Sequence, residues 1–109
     1  MRAGRGLLLL LVLAARLPSQ APPLERFTVL ADGHPLALWA RRPPSPAGTI
    51  LLVHGRTWSA LPDFDLQVPG ESRSVLAALA ARGFAAYAID LRGYGATPRD
   101  PSGWLTPDR

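Results

Sequence analysis

Thr49-Ile50-Leu51-Leu52-Val53 is an apolar, β-favouring run that breaks off abruptly at His54-Gly55-Arg56. Read as a strand, it is apolar on both faces, so it calls for cover above and below, which in an open sheet means helices. A second mostly apolar run, Phe84 to Leu91, ends in Arg92-Gly93-Tyr94-Gly95. Two such strands, joined by a loop and a helix and each ending at glycine, predict an α/β layout. Chemistry in that layout belongs at the carboxyl edge of the parallel strands.

The segments around this unit are consistent with it. Arg26 to Ala31 alternates as a strand, Asp32-Gly33 is a strong hairpin turn, and His34 to Arg41 returns as a second strand. Leu36, Leu38 and Ala40 share one face of it, and Ala37, Trp39 and Arg41 the other. Pro43 to Gly48 is a surface loop. The connection from His54 to about Gly70 is longer than a strand-to-helix loop usually is, a length often associated with function. Ser72 is the predicted cap of a helix running to about Arg82, with Val75, Leu76 and Leu79 as its apolar stripe and Gly83 as its stop. Thr106-Pro107-Asp108 would suit the start of another helix. No internal repeat is present.

Residues 1–21 read as an export signal. Arg2 and Arg5 form a positive start, Leu7 to Ala15 is an apolar run too short to span a bilayer, and a polar stretch comes after it. Ser19 and Ala21 suit a small-x-small cleavage site, although Pro22 is unfavourable just after it; Val12 and Ala14 offer a second choice. The predicted mature domain is 22–109, in a secreted or periplasmic location. Arg2, Arg5 and Arg16 account for most of the formal net charge of +4, so the high isoelectric point does not indicate nucleic acid binding. The chain has no Lys and no Cys, which leaves no disulfide framework and no thiolate metal site.

The hairpin, the strand ILLVHG, the helix and the strand-turn AAYAIDLRGYGAT, in that order, resemble the N-terminal portion of the α/β-hydrolase fold. The likeness covers roughly residues 26 to 109, up to the strand before the nucleophile elbow. It implies that the loop after His54-Gly55 donates a backbone N–H to an oxyanion hole. By the resemblance that donor would be Arg56, with Thr57 as the neighbouring candidate. A fixed N–H aimed at the developing oxyanion stabilises an acyl-transfer intermediate, and Gly55 allows close approach. His54 is expected to orient the loop, because the family's general base comes from the far end of the chain. Trp58 and Phe64 are candidates for lining a substrate pocket, or equally for packing the loop. Asp63 and Asp65 are read as solvated loop carboxylates and not as metal ligands. Asp90, Gly93 and Gly95 shape the turn after the second parallel strand, and Arg92 is expected to pair with a carboxylate or a carbonyl.

No Gly-x-Ser-x-Gly occurs. Gly70-Glu71-Ser72-Arg73-Ser74 lacks the second glycine and comes after a loop where the elbow needs a strand. The expectation is therefore an N-terminal fragment of an exported hydrolase. Its full-length form would be a serine-type, esterase- or lipase-like enzyme acting on a small molecule with an ester or related carbonyl. The chain alone would be inactive, with no cofactor, no metal and no transmembrane span. Thr49 to Val53 would be left as an open apolar edge, on a domain of about 88 residues that is marginal by size. Two other classes compete. A dinucleotide-binding domain fails because Pro98 stands where the third glycine of the fingerprint belongs, and because Gly93-Tyr94-Gly95 comes after the second parallel strand. A non-catalytic binding module on the same scaffold is separable only by downstream sequence.

Overall fold

The computed structural model describes residues 20–101. Nearly all of the predicted export signal, and the helix start predicted at Thr106, lie outside them. Strands β1 (Glu25–Ala31) and β2 (His34–Arg41) form the predicted hairpin. Asp32 (φ 50°) and Gly33 (φ 75°) take the two left-handed positions of its turn, which Asp and Gly tolerate best. Strands β3 (Gly48–Val53) and β4 (Phe84–Ile89) pair in parallel, and β4 pairs antiparallel with β2. The result is a mixed four-stranded sheet in the order β1-β2-β4-β3. It is the incomplete α/β sheet that the sequence implies.

Two helices cover one face. Helix α1 (Ala60–Phe64) lies in the stretch that reads from the sequence as loop. Helix α2 (Val75–Ala81) begins two residues later than expected: Ser74 is the cap, its hydroxyl accepting from Ala77 N at 2.9 Å, and Ser72 is exposed before it. Leu76, Ala60, Ala86 and Ala88 form the centre of the core, with Leu24, Trp39, Leu52, Phe64 and Leu79 packed around them. Small alanines on β4 let both helices lie close to the sheet.

The opposite face corrects the expectation for β3. The apolar run implies burial of Leu51 and Val53, and each is more than half exposed. Such a run states what a strand tolerates on both faces, not what is there to cover it. Val29, Leu38, Leu51, Tyr87 and Ile89 line an open apolar hollow on this side. Beside it β3 is the edge of the sheet, uncharged and without proline. Such an edge pairs readily with other chains. The purified chain is therefore expected to self-associate, and Leu51→Lys to raise its monomer fraction in sedimentation velocity. An unchanged distribution would show that this face does not drive association. Among the described residues, no helix is long and apolar enough to cross a membrane.

Candidate functional site

The carboxyl ends of β3 and β4 lie side by side, because Val53 is in register with Ile89. The segments that leave the two strands therefore meet at one sheet edge: His54 to Ser59 from β3, and Asp90 to Thr97 from β4.

His54 is buried and ties the two segments together. Its Nε2 lies 3.0 Å from the Leu91 backbone N, which can only donate, so Nε2 accepts. The proton is then on Nδ1, which donates to Gly55 O at 2.7 Å. Both ring nitrogens are occupied, and the ring stands against Tyr94 with centroids 5.1 Å apart. This arrangement orients a loop and leaves no lone pair for general-base work.

Asp90 is the most heavily engaged group of the edge. Its carboxylate is buried and accepts from Trp39 Nε1 (2.8 Å), Ala60 N (2.8 Å) and Ala96 N (3.0 Å). Its backbone N donates to Ala37 O, and its carbonyl accepts from the Thr97 hydroxyl at 2.6 Å. That hydroxyl also accepts from Ala37 N at 2.8 Å, so Thr97 bridges β2 and the turn. Gly95 (φ 52°) closes the turn against the carboxylate, and a Cβ there would overlap the Asp90 side chain. Gly93 is also left-handed (φ 77°), but a Cβ there would meet open space. Arg92 donates to Asp100 Oδ2 at 2.7 Å, farther along the same segment, and to Ala31 O at 2.6 Å, which fastens the turn to the hairpin.

Gly55 to Trp58 is a β-turn closed by Trp58 N donating to Gly55 O at 3.3 Å. Arg56 and Thr57 are its two central residues, whose N–H groups such a turn leaves unengaged. Both residues are exposed, and no bond within the described residues takes up either amide. The position that a Cβ would occupy at Gly55 is also open. Trp58 is exposed beside this turn, whereas Phe64 is packed on the core. The two aromatic candidates thus do not line a common pocket.

Asp65 is not the solvated carboxylate that the sequence suggests. It is buried, paired bidentately with Arg41 and bonded by the Ser74 hydroxyl. Asp63, within α1, is half-buried. Among the described residues, no three His, Asp or Glu side chains gather as metal ligands. A cleft between Arg41, Gln67 and α2 shares no residue with the strand-end loops.

Sequence reading misses Trp39 and Thr97. The alternation of β2 puts Trp39 on a strand face and names no partner for it. A buried indole N–H needs an acceptor, and Asp90 lies on the same face of the neighbouring strand, one residue beyond β4. Thr97, at the end of a glycine-rich turn, is a hydroxyl to which no local pattern assigns a contact.

Known proteins give the arrangement its context. No curated protein matches the chain. Among solved structures, the thioesterase domain from the curacin biosynthetic pathway matches 72% of this chain with a TM-score of 0.57 and 23% identity. At that identity the likeness concerns the fold alone. The match occupies 24% of the thioesterase chain, so this chain spans about a quarter of its length. The model of the alpha/beta hydrolase family matches residues 50–108, more than half of the chain, and takes in most of β3, both helices, β4 and both strand-end loops. The chain belongs to the alpha/beta hydrolase family.

Proposed function

We propose that this chain supplies the first strands and one side of the oxyanion hole of an exported serine-type acyl hydrolase. The nucleophile, acid and base would lie in further sequence of the longer protein. The observation that carries the reading is the turn at Gly55–Trp58. It presents two unengaged amides, Arg56 and Thr57, at the carboxyl edge of a parallel sheet. Donors already fixed before reaction are worth most where charge develops on a carbonyl oxygen. Nothing within the described residues requires glycine at position 55, which fits a backbone approached closely by a substrate. The substrate class is a small molecule with an ester or related carbonyl. Residues 1–21 would direct the protein out of the cytoplasm. By itself the chain has no nucleophile elbow and would turn over no ester.

The source DNA beyond the Arg109 codon tests the first half of this reading. An open frame reaching a strand, Gly-x-Ser-x-Gly, and a later Asp and His supports it. A stop codon there overturns it and leaves a binding module or a gene remnant. In the longer protein, Arg56→Ala is expected to change ester hydrolysis little, because the donor is the backbone. Arg56→Pro removes that N–H at a turn position that proline favours. It is expected to lower kcat about 100-fold. Equal activity of the two variants would rule out the Arg56 amide as donor.

A further inference from the structure

Both ends of the Gly55–Ser59 segment hang from two consecutive residues of the β4 turn. At its start, His54 accepts from Leu91 N and holds Gly55 O. At its end, Ala60, the first residue of α1, donates its N–H to Asp90 Oδ1. The Ser59 side chain, which occupies the capping position, makes no capping bond. Helix α1 is therefore capped from a distance of thirty residues, by the carboxylate of Asp90. The turn that carries Asp90 is itself fixed to the hairpin by Arg92 to Ala31 O, by Thr97 to Ala37 N, and by the contact of His34 Nε2 with Pro98 O.

We propose that Asp90 is a positioning residue for the Arg56 and Thr57 amides. Its carboxylate sets where the segment ends and α1 begins, and so fixes the direction in which the free amides point. The role rests on the acyl-hydrolase reading only for its purpose; the positioning itself is a property of this chain. A turn anchored at one end alone would let the amides swing. Anchored at both ends to Asp90 and Leu91, it holds them before any substrate arrives, as electrostatic stabilisation requires. Gly95 belongs to the same device, since it is what lets the turn wrap the carboxylate closely enough for Ala96 N and Ala60 N to reach opposite oxygens.

The test is nuclear magnetic resonance on the full 109-residue chain. In the unaltered protein, a scalar coupling across the hydrogen bond between Ala60 nitrogen and the Asp90 carboxyl carbon is expected, and its absence overturns the proposal. Asp90→Asn, which keeps the shape and loses an acceptor, is expected to raise the amplitude of motion of residues 55–59. It should also speed exchange of the Ala60 amide about tenfold or more, the equivalent of losing one charge-assisted bond. Amides of α2 and β4 should keep their protection. Trp39→Phe removes another donor to the same carboxylate and leaves the Ala60 bond, so residues 55–59 should not move. Unchanged motion in Asp90→Asn, or equal loosening in Trp39→Phe, overturns the proposal. Should Asp90→Asn fail to fold, the coupling and Trp39→Phe still decide. None of these readouts involves hydrolysis. A longer protein inactive on esters would overturn the functional reading and leave the role of Asp90 standing.

Discussion

Gly95→Ala is expected to destabilise the chain by about 3–4 kcal/mol, and Gly93→Ala by only about 1 kcal/mol. Both glycines have positive φ, 52° at Gly95 and 77° at Gly93, and a side chain in that region costs about 1–2 kcal/mol in either place. They differ in what a Cβ meets. At Gly93 it enters open space, whereas at Gly95 it overlaps the Asp90 carboxyl group. That carboxylate cannot retreat without releasing Trp39 Nε1, Ala60 N or Ala96 N, and each buried donor left unpaired costs about 1–3 kcal/mol. Urea unfolding followed by far-ultraviolet circular dichroism checks both variants. Equal losses at the two positions would mean that the turn relaxes around the added methyl group. Both losses would then come from backbone strain alone.

The sequence was most readable where local chemistry decides the outcome. Asp32-Gly33 specifies a tight hairpin whatever surrounds it, and the runs Thr49 to Val53 and Phe84 to Leu91 mark parallel strands by their apolar continuity. Those strand ends were legible as a candidate site because such sheets place chemistry there. Readability failed where a contact between distant residues decides. Ser72 and Ser74 are equally good caps by composition; Ser74 is the one whose hydroxyl reaches both Ala77 N and Asp65. Helix α1 is five residues long with Pro62 inside it, too short for a periodic apolar face to declare it. The burial of Asp65 comes from an arginine twenty-four residues earlier on β2, a partner that no local pattern names. Trp39 and Thr97 entered the site in the same way, through strand pairing that sets β2 beside β4.

Arg41→Met is expected to cost about 3–5 kcal/mol, because it strands a buried carboxylate. Arg41 donates to Asp65 from Nε at 2.8 Å and from Nη2 at 3.0 Å, and its Nη1 donates to Pro22 O at 2.6 Å. The Asp65 side chain is 2% exposed. Without the arginine it would keep the Ser74 hydroxyl as its side-chain donor, and Ser74 also caps α2. The pair therefore joins three elements: β2 through Arg41, the end of α1 through Asp65, and the start of α2 through Ser74. A buried ion pair need not add stability over apolar residues of similar volume, but losing one partner leaves an uncompensated charge. The double variant Arg41→Met/Asp65→Leu should thus be more stable than Arg41→Met alone. Arg42→Met, next along the chain, is the control. Arg42 pairs with Glu25 at the surface, where solvent screens the attraction, so its loss should be barely measurable in the same urea titration. If Arg41→Met behaved like Arg42→Met, Asp65 would have to reach water once its partner is gone. The junction of α1, α2 and β2 would then open easily. A large loss in Arg41→Met, recovered in part by the double variant, would show that this junction holds the helical layer to the sheet. The sheet edge carrying Arg56 and Thr57 depends on that layer, because α1 fixes the far end of their loop.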